Sequence, residues 1–206
     1  MSDFFNVFLI NLKETTILEY IAVVFGLLSV WYARKANILV FPSGIISTVI
    51  YIYICFFAQL YADMGINFFY AGMSIYGWYA WTRRDANKKT IPIRWNSVRE
   101  QIAGIAAVII GFWIILWVLW ILKSNDTDYI SSYIPYIDAF TTAIFIVGMW
   151  FMARKRIENW IYWIIGDLIS VPLYFHKGLV FTSFQFFVFL ILAVMGLLEW
   201  KRMRES

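Results

Sequence analysis

Asn159-Trp160-Ile161-Tyr162-Trp163-Ile164-Ile165-Gly166-Asp167-Leu168-Ile169-Ser170-Val171-Pro172-Leu173-Tyr174 is an apolar run long enough to cross a bilayer, with one carboxylate in its middle. A hydrocarbon core of about 30 Å takes roughly 17–25 helical residues. A charge at that depth costs about 2.5–3.5 kcal/mol on insertion scales, so an acid kept there points to a function. Trp163 lies four residues before Asp167, which puts indole and carboxylate on one helical face. Together, withdrawn from water, they would seat a flat cation.

The rest of the chain agrees with a membrane reading. Of its 206 residues 62% are hydrophobic and 15% charged, with a mean hydropathy of +0.71. A soluble domain would carry about 25% charge. Seven segments have spanning length: residues 17–33, 38–57, 64–81, 101–122, 134–153, 159–176 and 179–200. The expected fold is therefore an all-α integral membrane protein of seven transmembrane helices, forming one membrane domain. Phe4–Leu12 is amphipathic and would lie on the membrane surface. Pro42 falls in a first helical turn, where its missing N–H is harmless. Pro172 falls inside the sixth span and should kink or loosen it just after Asp167. The N-terminus has neither a basic region nor a small-residue cleavage site, so it does not read as a signal peptide. One cysteine, Cys55, excludes an internal disulfide, and one histidine, His176, argues against a metal site. No cofactor and no nucleic-acid partner are expected.

Basic residues divide sharply between the two ends of these spans. The segments after spans one, three, five and seven hold 14 of the 17 lysines and arginines, and only Lys13, Lys123 and Lys177 fall on the other side. The positive-inside rule then places the C-terminus in the cytoplasm and the N-terminus outside.

The chain also resembles itself. Trp31…Arg34-Lys35 closes span one, and Trp150…Arg154-Lys155 closes span five. Ser47 and Tyr51 match Ser170 and Tyr174 at one offset, which pairs Asp167 with Gly44. Gly77 and Trp81 match Gly196 and Trp200 at a nearby offset. This reads as parallel repeats in a 3+1+3 order: residues 17–81, a linker helix over 101–122, and residues 134–200. Carriers built this way bind small solutes between the repeats near the midplane.

Polar residues gather on a few stripes. Span six presents Trp160, Trp163, Asp167, Ser170 and Tyr174; span three presents Asn67, Tyr70, Ser74, Trp78 and Trp81. Span seven adds Gln185, and span five adds Thr141 and Thr142. Hydrocarbon offers such groups no partners, so they should face a shared interior. Indoles, phenols, amides and one carboxylate suit an aromatic, hydroxylated cation. The expected substrate-binding residues are Asn67, Tyr70, Ser74, Trp78, Trp163, Asp167, Ser170, Tyr174 and Gln185, with no catalytic residue. Trp81 and Trp200 stand at span ends and are expected as interfacial anchors, like His176. Asp63 and Asp138 flank spans and read as loop or cap residues.

Two motifs have a family look. Ile75-Tyr76-Gly77-Trp78-Tyr79-Ala80-Trp81, followed by arginines, resembles the signature closing the third helix of the PnuC-type vitamin transporters. Arg154-Lys155-Arg156-Ile157-Glu158-Asn159-Trp160-Ile161-Tyr162-Trp163, with an amide or acid four residues on, resembles the second. The likeness runs from about Glu19 to Trp200. It implies a SWEET-like full-length fold in the bacterial inner membrane, a homotrimer, and uptake of nicotinamide riboside or, in a related branch, thiamine. Transport would be facilitated diffusion, with a cytoplasmic kinase trapping the vitamin. Site residues carry over as Asn67, Trp163, Asp167 and Gln185. The best-known riboside carriers resemble this chain less at two points: they tend to have asparagine in place of Asp167, and some have it in place of Ser74.

Other seven-helix functions lack their chemistry here. Leu179–Trp200 has no lysine for a retinal Schiff base. An intramembrane serine protease needs a buried Ser–His pair, and His176 sits at a span end. An intramembrane metalloenzyme lacks ligands.

Overall fold

A computed structural model describes residues 16–58, 60–84 and 90–205. Phe4–Leu12, Lys13, Lys88 and Lys89 lie outside the described residues. Among the described residues eight helices appear: α1 (Ile17–Arg34), α2 (Val40–Phe57), α3 (Tyr61–Thr82), α4 (Val98–Leu122), α5 (Thr127–Ser131), α6 (Ile134–Ala153), α7 (Asn159–His176) and α8 (Val180–Glu205). Seven fall on the seven expected segments, and the short α5, started by the Asp126 side chain accepting from Tyr129 N–H, is additional.

Local chemistry sets the ends. The Thr16 hydroxyl caps α1 by accepting from Glu19 N–H at 3.2 Å. Ser97 and Glu100 form a reciprocal capping box on α4, satisfying two otherwise orphaned donors. Pro42 lies in the first turn of α2, as expected, and α7 runs unbroken through an outward-facing, exposed Pro172.

Helices α1, α2, α4, α6 and α8 are long and apolar enough to cross a membrane. Helices α3 and α7 have 22 and 18 residues, sufficient in length. Their hydropathy is lowered by the polar stripes, Asp63, Asn67 and Ser74 on one and Asn159, Asp167 and Ser170 on the other.

Helices α1, α2 and α3 pack in sequence order, as do α6, α7 and α8; α1 meets α8 and α3 meets α6, so six helices close a ring, with α4 outside it against α6. The two triples share a detailed construction. Ala36 and Lys155, 119 positions apart, both take left-handed φ, 49° and 53°. Around them Ala36 N–H donates to Ala33 O and Asn37 N–H to Tyr32 O, as Lys155 does to Met152 O and Arg156 to Phe151 O. The spacing persists into the helices. Phe41 fills the notch left by Gly77, and Trp160, 119 later, fills the notch left by Gly196. The α1–α2 contacts Gly26–Ser47 and Ser29–Gly44 recur on α6–α7 as Phe145–Gly166 and Gly148–Trp163.

This constant spacing corrects the pairing read from sequence. Ser47 corresponds to Gly166 rather than Ser170, and Asp167 corresponds to Thr48 rather than Gly44. The expected match of Ser47 and Tyr51 with Ser170 and Tyr174 is four residues out. Four residues are about one helical turn, so the slip preserves the apolar face and leaves the pattern nearly unchanged.

The core gathers at the basic end of the ring. Phe41, Trp81, Trp160 and Trp200 pack edge to face or tilted, with centroids 4.9 Å (Phe41–Trp81), 5.6 Å (Trp160–Trp200) and 6.1 Å (Trp81–Trp200) apart. Trp81 and Trp200 are therefore not interfacial anchors; they are buried. Trp81 Nε1 donates to Ala153 O at 3.1 Å and Trp200 Nε1 to Ala33 O at 2.9 Å. Each satisfies a carbonyl in the last turn of a helix of the other triple. The extended stretch before α4 covers this plug, with Ile91, Ile93 and Trp95 packed on it. It is pinned where Arg94 exchanges backbone hydrogen bonds with Lys155 and Ile157, and where Glu100 pairs with Arg94 (3.0 Å) and Arg156 (2.8 Å).

Candidate substrate-binding site

Asp167 sits midway along α7, 3% exposed. Its Oδ2 has no hydrogen-bond partner among the described residues. An orphaned buried acceptor is costly, about 1–3 kcal/mol and more when charged, which makes this oxygen a candidate ligand contact. The helix places it: Gly166 lets Phe145 of α6 pack close on α7, so α7 is held against its neighbour one residue from the carboxylate.

Aromatic groups lie on the same helix and on the helices packed against it. The Tyr70 phenol, from α3, lies within electrostatic reach of both Asp167 and Tyr174. Tyr174, two turns beyond Asp167, stacks on Phe186 at 5.0 Å and 10°, and Phe186 stacks on Phe145 at 6.0 Å and 21°. Trp163 packs edge to face with Trp160 at 5.8 Å, and the Cδ1–Nε1 edge of its indole rests on Gly148, where no Cβ would fit. Its Nε1 is buried without a hydrogen-bond partner among the described residues. Ser74 and Ser170 are buried, at 3% and 1% exposure. Gln185 of α8 interacts across the ring with the Tyr51 phenol of α2.

The expected residues thus divide. Tyr70 lies within electrostatic reach of Asp167 and Tyr174, and Gln185 interacts with Tyr51. Trp163 is wedged between α6 and α7. Asn67 donates to Asp63 O of its own helix at 2.9 Å, so its amide nitrogen is already engaged. Thr141 likewise donates to Ile137 O, at 2.9 Å. Trp78 lies on the flank of the buried stripe Ser74–Gly77–Trp81, which continues to the half-buried Tyr70, and is 41% exposed. Tyr51, Phe145 and Phe186 escaped the sequence reading as site residues, because an aromatic residue in an apolar run carries no mark of which face it takes.

Asp63 stands in the first turn of α3, near the other end of the molecule from the tryptophan plug. Asp138 is not a cap. It accepts from Lys177 Nζ at 2.8 and 3.0 Å and from the Tyr129 hydroxyl at 2.8 Å. His176 is exposed, its ring 6.5 Å from Tyr133.

Comparison with known proteins gives a consistent picture. A family model described as nicotinamide mononucleotide transporter matches residues 16–202. The chain is 25% identical over 201 residues to the nicotinamide riboside transporter PnuC of Escherichia coli (strain K12), covering 89% of this chain and 84% of that one. It is 27% identical over 180 residues to the riboflavin/roseoflavin transporter RibM of Streptomyces davaonensis, covering 86% and 81%. Its fold is similar to the crystal structure of the vitamin B3 transporter PnuC, with a TM-score of 0.70 at 20% identity, over 98% of this chain and 90% of that one.

Proposed function

This chain belongs to the nicotinamide mononucleotide transporter family, the family of PnuC, and from that premise we propose that it carries nicotinamide riboside across the membrane. Family membership makes it a multi-pass membrane transporter of a vitamin and not an enzyme. The choice of riboside rests on the relatives that carry it, and the choice of a cation rests on one observation above the others: the buried Asp167 carboxylate, with an unpartnered oxygen, one helical turn from Trp163 and within electrostatic reach of Tyr70. A pyridinium ring offers positive charge and a flat face to such a group. Asn67, Ser74, Ser170 and Gln185, with Tyr51, would address the sugar hydroxyls and the carboxamide. Riboflavin, named for one relative, carries no positive charge, and the carboxylate favours a cation over it.

The same reading covers the architecture. Helices α1–α3, α4 and α6–α8 act as seven spans in a 3+1+3 order, and the doubled turns at Ala36 and Lys155 support two parallel repeats. The basic end faces the cytoplasm of a bacterial inner membrane. Three copies assemble as a homotrimer. Transport runs down the gradient, and a cytoplasmic kinase retains the vitamin.

Purified protein titrated by calorimetry with nicotinamide riboside, thiamine and riboflavin tests the ligand, and proteoliposome uptake tests the transport. The expected result is tightest binding of the riboside and equilibration without accumulation. Tighter thiamine binding would move the chain to the thiamine branch. Tighter riboflavin binding would sink the cation reading. Concentrative uptake driven by an imposed proton or sodium gradient would overturn facilitated diffusion.

A further inference from the structure

The end of the ring opposite the tryptophan plug holds a second meeting of carboxylate and aromatic ring, already occupied by a cation of the protein's own. Lys177 Nζ lies 2.8 Å from Asp138 Oδ1 and 3.0 Å from Oδ2, and 5.3 Å above the Tyr174 ring. The Tyr129 hydroxyl donates to Oδ2 at 2.8 Å. Lysine and aspartate side chains are each 21% exposed, so the pair meets solvent and can exchange partners. The turn fixes the lysine: Gly178 takes φ 75°, with its N–H donating to Phe175 O and Leu179 N–H to Tyr174 O.

The fold does not require this arrangement. At the spacing of 119 that relates the two triples, Asp138 corresponds to Glu19, but Lys177 corresponds to Ala58 and Tyr174 to Cys55. The acid is kept on both sides, while the cation and the ring beneath it are present on one. That one side leads along α7 from Tyr174 to Asp167.

We propose that Asp138, Tyr129 and Tyr174 form an outer subsite for a ring-bearing organic cation, held at rest by Lys177 as a tethered competitor that the substrate displaces before it reaches Asp167. The proposal rests on the reading that the chain carries such a cation. A lysine ammonium is compact and strongly hydrated. A heteroaromatic cation brings its charge with a face that stacks on Tyr174, so it can replace the lysine without leaving Asp138 bare.

Uptake of radiolabelled nicotinamide riboside by proteoliposomes, read as KM and maximal rate, tests this with three variants. Lys177→Met removes the competitor and should lower KM at least threefold. Asp138→Asn removes the subsite and should raise KM at least threefold. Lys177→Arg restores a cation and should return KM to the parental value. An ion pair that merely braces the fold predicts that Lys177→Met and Asp138→Asn shift KM in the same direction, or not at all, and either result overturns the proposal. Thermal unfolding in detergent checks that each variant is folded, and Lys177→Gln replaces Lys177→Met if the latter is not. If the parent protein carries thiamine instead, the same comparison is made with thiamine. A parent that carries neither removes the functional reading and the subsite with it; a parent that carries one while the variants shift together removes the subsite alone.

Discussion

At the residue scale the proposed site turns on Asp167, buried to 3% exposure with one oxygen unpartnered among the described residues. Replacing it by asparagine keeps the shape and removes the charge. Asp167→Asn should weaken binding of the cationic vitamin by about tenfold or more, since hydrogen bonds to charged groups are worth roughly 1.5–3 kcal/mol. Binding of a neutral isostere should change less. Equal affinity of parent and variant for the cation, by calorimetry, would remove the carboxylate from recognition. Trp163→Ala should cost about 1–3 kcal/mol of binding through lost stacking and cation–π attraction. An unchanged dissociation constant would leave Trp163 as a packing wedge against Gly148. Asp167 was legible in the sequence because a charge inside an apolar run has few innocent explanations. Trp78 stands on the flank of its stripe because helical spacing locates a stripe only to within a residue or so on either side, and Tyr51 stayed hidden because its partner Gln185 lies on a distant helix.

At the scale of elements, helix positions were nearly all legible, from Ile17–Arg34 to Val180–Glu205, because apolar length and capping residues mark their ends. The register between the two triples was not, since a one-turn slip changes no face. The hydrogen bonds of the turns at Ala36 and Lys155 fix it, and the two indole hydrogen bonds at the plug make a paired prediction. Trp81→Phe and Trp200→Phe each keep an aromatic ring and delete one indole donor, taking that bond from Ala153 O or from Ala33 O, which keeps its bond from Ala36 N–H. Each should lower stability by about 0.5–1.5 kcal/mol, and by similar amounts. Thermal unfolding in detergent measures both, and a loss confined to one would argue that the two positions are not equivalent. Gly77→Ala and Gly196→Ala form a second pair. A methyl there runs into Phe41 or Trp160, and overpacking of this kind costs about 1–3 kcal/mol. Normal unfolding temperatures for both glycine variants would mean that the rings shift aside freely.

For the whole molecule, the charge asymmetry gives an orientation that the ring itself, having two similar ends of helices, does not declare. With Cys55 replaced by serine, a cysteine at Lys35 should react with a membrane-impermeant maleimide only after the cells are opened, and one at Lys177 should react in intact cells. Reaction of Lys35→Cys in intact cells would invert the topology. The closure of six helices into a ring could not be read from the chain, because the contacts of α1 with α8 and of α3 with α6 join residues far apart in sequence.

The two indole hydrogen bonds at the plug carry one more implication. Trp81 serves a carbonyl of the second triple, and Trp200 serves a carbonyl of the first. Neither triple is self-sufficient: alone, each would expose one indole and one carbonyl whose complements it has given away. Two copies of the same triple, side by side and parallel about a two-fold axis, would repair both deficits at once. The single chain meets the bonding rule such a pair would meet, and at Asp167 and Lys177, opposite Thr48 and Ala58, it differs from side to side as two identical subunits could not.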